Sequence, residues 1–146
     1  MAAPTRTGPF WDMIEGRLPA PPAAALLGWT LISIDPEKGE IRVAFEAKPE
    51  FLNPAGTLQG GILCAMLDDT MGPAAMASLG GNRMAQTLEL KTSFYRPAGL
   101  GRLIGFGRVA HRGRDLIFLE GTLADANGKP IAAATATARI IDIALG

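Results

Sequence analysis

The residues best equipped for chemistry lie in one stretch, Phe51 to Leu79, FLNPAGTLQGGILCAMLDDTMGPAAMASL. Two adjacent aspartates, Asp68 and Asp69, interrupt a run that is otherwise apolar for about five helical turns. A carboxylate in such surroundings is costly unless it is paired, hydrated or used. In a water-poor site an aspartate serves as general base toward water or as nucleophile toward an acyl group. Asp68 and Asp69 stand about 100° apart around a helix, so they cannot serve one target equally. The bland alternative for either is a solvated helix face or an ion pair, and the apolar flanks weaken it.

The same stretch opens with Gln59-Gly60-Gly61. A helix that starts here presents unpaired backbone N–H groups and the positive end of its dipole. Glycine lets a ligand approach that backbone closely, which suits an anion or a carbonyl oxygen gaining negative charge. On spacing alone, a plain loop-to-helix junction is the more economical reading. Gly60 and Asp68 are eight residues apart, or about 12 Å along one helix. A reacting carbonyl must lie within about 3 Å of both its hydrogen-bond donor and its attacking group. One helix cannot easily supply both, but two antiparallel helices across a dimer axis can. If these residues share a site, the protein is an obligate dimer with composite sites.

The elements that must position these groups follow from periodicity and breakers. Phe10, Trp11, Met13, Ile14 and Leu18 predict a short helix over 9–17, before a stiff connector of Pro19, Pro21 and Pro22. Ala23 to Leu27 adds a short turn. Trp29–Asp35 and Glu40–Glu46 alternate around Pro36 and Gly39, a β-hairpin signal. Ala47 to Leu58 reads as a loop. The central helix runs from near Gly60 to Gly80-Gly81, a C-cap signal, with a kink or irregular turn near Gly72-Pro73 because an interior proline removes a helical hydrogen bond. Strands follow at Ala85–Tyr95, Gly101–His111, Asp115–Ala124 and Ile131–Ile141. The order is short helix, two strands, long helix and four strands. That is an α+β fold, one long helix packed on a roughly six-stranded antiparallel sheet. The expected division is a tail with short helix and Pro-rich connector over 1–22, frayed over 1–7, and a single domain over 23–146.

Composition narrows the function. The chain has 146 residues, 48% hydrophobic and 19% charged, which fits one globular domain with buried surface to spare for an oligomer interface. Fourteen Lys and Arg balance fourteen Asp and Glu, so no field steers it to nucleic acid or a membrane. Cys64 is the single cysteine and His111 the single histidine. No metal, no cofactor and no disulfide are expected, and a reducing cytoplasm is the simplest compartment. No secretory signal or transmembrane run is legible. Gly105-Phe106-Gly107 lies in a strand pattern and lacks the context of a dinucleotide fingerprint. Cys64 shares the Asp68 helix face and could line a site, yet no base stands near it in sequence, so packing is the preferred reading. His111 reads as a surface residue. Met66, Met71 and Met76 read as core or pocket lining.

NPAGTLQGGILCAMLDDTMG, TLELKTSFYRPAG and HRGRDLIFLEGTLADANGKPIAAATATARI together resemble the hotdog-fold acyl-CoA thioesterases, and most closely the phenylacetyl-CoA thioesterase branch. The resemblance spans about residues 25 to 141 and rests on an N-x-x-G-x-x-H-G-G pattern, an acidic residue eight positions past the first glycine of the pair, a T-x-E-x-K strand and a D-x-x-G turn. It implies that Asn53 lies in a loop contacting the thioester or attacking water. It implies that Gly60, beside Gly61, polarises the thioester carbonyl through its backbone N–H. Asp68 becomes general base or nucleophile, donated by the opposite subunit, and Thr87 the residue that positions water. The CoA nucleotide would lie on the surface near Arg96, Arg112 and Arg114. The family's histidine is Gln59 here, which can donate a hydrogen bond but cannot titrate near neutral pH.

The leading expectation is therefore hydrolysis of an apolar acyl- or aryl-CoA to free acid and CoA by a homodimer, or a tetramer built from it. The alternative is a non-catalytic hotdog that binds acyl-CoA, with Gln59 as its support. A dehydratase of the same fold wants a catalytic histidine, and His111 is poorly placed for that.

Overall fold

The computed structural model describes residues 6–143. Ten elements follow in chain order: α1 (Pro9–Ile14), α2 (Pro22–Leu27), β1 (Thr30–Asp35), β2 (Glu40–Ala47), a single 3₁₀ turn (Pro49–Phe51), α3 (Gly60–Leu79), β3 (Arg83–Phe94), β4 (Gly101–Arg112), β5 (Leu116–Asp125) and β6 (Pro130–Asp142). The six strands form one antiparallel sheet in the order β1-β2-β4-β5-β6-β3. The chain leaves β2, crosses the sheet's inner face as α3 and returns as β3 on the far edge. This is the expected hotdog arrangement.

α3 is apolar on nearly every side because the sheet wraps it. Leu63, Met66, Leu67, Met71, Ala74 and Ala75 are buried against Ile41, Val43 and Phe45 of β2, Leu103 of β4, and Ile117, Leu119 and Leu123 of β5. Glycines set how close the helix can come. A Cβ on Gly105 would stand 2.4 Å from Thr70 Oγ1, on Gly107 2.8 Å from the Thr70 carbonyl oxygen, and on Gly121 2.8 Å from Met71 Cγ. The Gly-Phe-Gly of β4 is thus a slot for Thr70. That hydroxyl is fully buried and donates to the Met66 carbonyl at 2.7 Å.

Three helix expectations need correction. The irregular turn expected near Gly72-Pro73 does not interrupt α3, which is continuous over twenty residues with Pro73 inside it. The first helix ends at Ile14, not 17, because Gly16 adopts φ +79. Gly16 N–H then donates to Met13 and Arg17 N–H to Asp12, the paired hydrogen bonds that close a helix on a left-handed glycine. Ala23–Leu27, expected as a turn, lies in α2, whose cap Gly28 stands at φ 69. Of the expected frayed segment, residues 1–5 lie outside the described residues, and Arg6 is stacked over the Trp11 ring at 4.9 Å.

Gly107→Ala should be destabilising, because the atom it meets is backbone and cannot rotate away. Overpacking of this kind costs about 1–3 kcal/mol, a fall of roughly 3–10 °C in Tm for a domain of this size. A thermal melt unchanged from the parent would show that α3 does not press on β4 as described.

Candidate active site

β3 lies beside α3, and its inward residues meet the helix in reverse order. Thr87 Oγ1 donates to Asp68 Oδ1 at 2.7 Å. Cys64 Sγ lies 3.4 Å from Thr92 Oγ1. The Phe94 ring covers Gly60, with Cζ 3.3 Å from where a Cβ would stand. A bulge makes this possible: the β3–β6 register shifts between Thr87 and Glu89. Ala85 and Thr87 face inward before it, Leu90 and Thr92 after it, and Leu88 is left exposed. An extra residue re-aims the strand's side chains in this way.

Asp68 is exposed on a stripe with Gly61 and Ala65, whereas Asp69 is half-buried. Asp69 Oδ2 is enclosed without a hydrogen-bond partner. Burial, and secondarily the adjacent Asp68 charge, raises the Asp69 pKa from 3.8 to about 7. Both carboxylates and Thr87 line a cavity of about 660 Å³. Its other walls are largely apolar: Phe10, Met13, Leu18 and Pro19 on the N-terminal side, Pro73 and Met76 on α3.

The helix start is built as a donor site. Gln59 N–H donates to Phe51, and the Gln59 carbonyl accepts the N–H groups of Ile62 and Leu63. Its side chain is exposed and makes no cap hydrogen bond. The Gly60 and Gly61 N–H groups, in the first turn, have no acceptor within the helix. Within one chain Gly60 and Asp68 remain two separate half-sites, eight residues apart on α3, about 12 Å.

The remaining expected residues are distributed less simply. Asn53 shapes its own loop: Oδ1 accepts from Ala55 and Thr57 N–H, and Nδ2 donates to Thr57 Oγ1 at 2.9 Å. Arg96 is committed to the β5–β6 turn, donating to Asp125 Oδ2 at 2.6 Å and to the carbonyls of Pro130 and Lys129. Arg112 and Arg114 are exposed at the β4–β5 turn, at the opposite end of the sheet from Arg96. One chain does not gather the three. His111 is exposed, its ring centroid 6.1 Å from that of Phe118. Among the described residues no group of His, Cys, Asp and Glu could hold a metal ion. No helix there is long and apolar enough to cross a membrane.

The sequence profile described as "Thioesterase superfamily" matches residues 55–132, from the loop before α3 into β6. The chain belongs to the thioesterase superfamily. It is a thioester hydrolase. It is 37% identical over 97 residues to a candidate esterase of Saccharolobus solfataricus, covering 66% of this chain and 68% of that one. A crystal structure of a candidate thioesterase from Ralstonia eutropha JMP134, a phenylacetic acid degradation-related protein, superposes with a TM-score of 0.85 at 40% identity, covering 89% of this chain and 98% of that one. A Streptococcus mutans protein solved bound to acetyl-CoA shares the fold, with a TM-score of 0.71 at 24% identity over 80% and 91% of the two chains.

Sequence reasoning missed the N-terminal wall of this thioesterase's cavity. Phe10 and Trp11 are buried against Ala77 of α3, which makes the expected tail part of the packed structure. The apolar spacing over 10–18 carried the signal for a helix but not for what it covers.

The shifted Asp69 has a thermodynamic consequence. The native state holds its proton up to about pH 7 and the unfolded chain only to 3.8, so stability falls as pH rises through that interval. Asp69→Asn should flatten the fall, and its advantage over the parent should grow from pH 5 to pH 8 in urea unfolding. Equal slopes in parent and variant would contradict the buried carboxyl.

Proposed function

We propose that this thioesterase hydrolyses an apolar acyl- or aryl-CoA, with Asp68 activating water and the Gly60 N–H stabilising the oxyanion. The observation that carries the reading is an exposed carboxylate, fixed by a 2.7 Å hydrogen bond from Thr87, at an apolar cavity large enough for an acyl group. Thr87 occupies Oδ1 and leaves Oδ2 to accept a water proton. The hydroxide adds to the thioester carbonyl, whose oxygen takes negative charge at the helix start. The intermediate collapses by breaking the C–S bond, and CoA leaves as thiolate or thiol. Direct attack by Asp68, giving an acyl-enzyme anhydride that water then opens, uses the same groups. The acetyl-CoA bound by the S. mutans protein and the aromatic-acid context named for the R. eutropha relative support a CoA thioester with an aryl or other apolar acyl part. Exposed Arg112 and Arg114 are the better placed phosphate partners, since Arg96 already holds Asp125.

The half-sites are completed by a second copy. β3 is a sheet edge twelve residues long, with Leu88 58% and Phe94 50% exposed, and Tyr95, just past its end, 62% exposed. A long edge with unpaired backbone N–H and C=O groups invites pairing. A dimer that covers it brings one chain's helix start toward its partner's Asp68. Gln59, whose exposed carboxamide hydrogen-bonds but cannot titrate, leaves the proton transfer to Asp68.

An acyl-CoA panel followed by release of free thiol tests this assignment. Asp68→Asn should lower kcat at least about 100-fold with folding intact, and Asp69→Asn should do less. Thr87→Val should lower kcat about tenfold by freeing the carboxylate. Asp68→Asn turning over at the parent rate would refute the mechanism.

A further inference from the structure

Pro73 has no N–H, so the carbonyl four residues earlier loses its helical donor. That carbonyl belongs to Asp69, the residue after the proposed base. The structure replaces the missing donor: Trp29 Nε1 donates to the Asp69 carbonyl at 2.8 Å, from forty residues away. Trp29 is itself pinned. Its backbone N–H donates to the Ala24 carbonyl where α2 closes on Gly28, and Gly28 packs so tightly on Glu46 that a Cβ would stand 2.8 Å from that residue's Cβ. The indole lines the cavity beside Asp68, Asp69 and Pro73. A buried carbonyl without a donor is costly, and interior prolines usually kink a helix. Here α3 stays continuous.

We propose that Trp29 is a positioning residue, supplying the hydrogen bond that Pro73 removes and thereby holding the Asp68 turn of α3 in register with Thr87. The exchange leaves the helix without an N–H at position 73 and ties the cavity's N-terminal side to the catalytic turn. The positioning role rests on the reading of Asp68 as base, whereas the exchange of donors does not.

The test is the cycle Trp29→Phe, Pro73→Ala and the double variant, read by thermal melting and by thiol-release kinetics. Trp29→Phe keeps an aromatic wall but removes the donor. It should lower both Tm and kcat, kcat about tenfold, with KM within about twofold of the parent. Pro73→Ala alone restores a helical N–H beside the indole donor, since a carbonyl accepts two donors, and sets the reference against which the double variant is read. In the double variant the alanine N–H donates to the Asp69 carbonyl, and both Tm and kcat should recover to within about threefold of the Pro73→Ala values for kcat. Recovery of Tm without recovery of kcat would reduce Trp29 to a structural role and overturn the positioning proposal. No recovery of either, or a Trp29→Phe variant identical to the parent, would overturn the exchange itself. Failure of Asp68→Asn to lose activity would sink the reading of Asp68 while leaving the Tm coupling intact, so the two failures are distinguishable.

Discussion

The closeness of α3 to the sheet is the constraint on which the rest of the protein depends. Gly105, Gly107 and Gly121 remove the side chains that would hold the helix away, and Thr70 and Met71 fill the space. A helix seated so deeply can be apolar around almost its whole circumference. Its remaining open stripe, Gly61, Ala65 and Asp68, carries one long side chain among small ones. Asp68 is the one exposed polar side chain of the helix, while Cys64, Asp69 and Ser78 are half-buried.

Three supports converge on the stripe from distant parts of the chain. The β3 bulge turns Thr87 toward Asp68. α1 and the proline connector roof a cavity over Asp69. Trp29 repairs the backbone where Pro73 interrupts it. Asp69 then sits where water is scarce and holds its proton close to neutrality, while its neighbour faces outward. The two adjacent carboxylates differ because a rotation of about 100° places them in different media.

Periodicity made the six strands and α3 legible to within a few residues, since alternation and apolar runs are local signals. The catalytic candidates were legible as types: a carboxylate in an oily helix, a glycine pair before it, and a threonine in the strand that follows. What sequence left hidden was non-local. Nothing near Phe10 says that it meets Ala77, and nothing near Trp29 says that it serves Asp69. Pro73 announced a lost hydrogen bond but not its replacement, the Trp29 indole N–H. Asn53 and Arg96 were legible as polar groups in loops, but the geometry spends much of Asn53 on its own turn and ties Arg96 to Asp125. The bulge at Leu88 left no trace, because Leu88 and Leu90 share one parity in the sequence while only Leu90 turns inward.

The separation of Gly60 from Asp68 along one rigid helix makes a shared site between two chains the central proposition. Mixing two defective chains tests it. A Gly60→Pro chain loses the proposed oxyanion donor at a position where proline suits a helix start, and an Asp68→Asn chain loses the proposed base. Each alone should be inactive. After co-refolding, random pairing makes about half the dimers mixed, each with one intact site of two, so thiol release should return to about a quarter of the parent rate. Activity that stays at the level of the separate variants, with mixed dimers demonstrably formed, would contradict a site built from two chains.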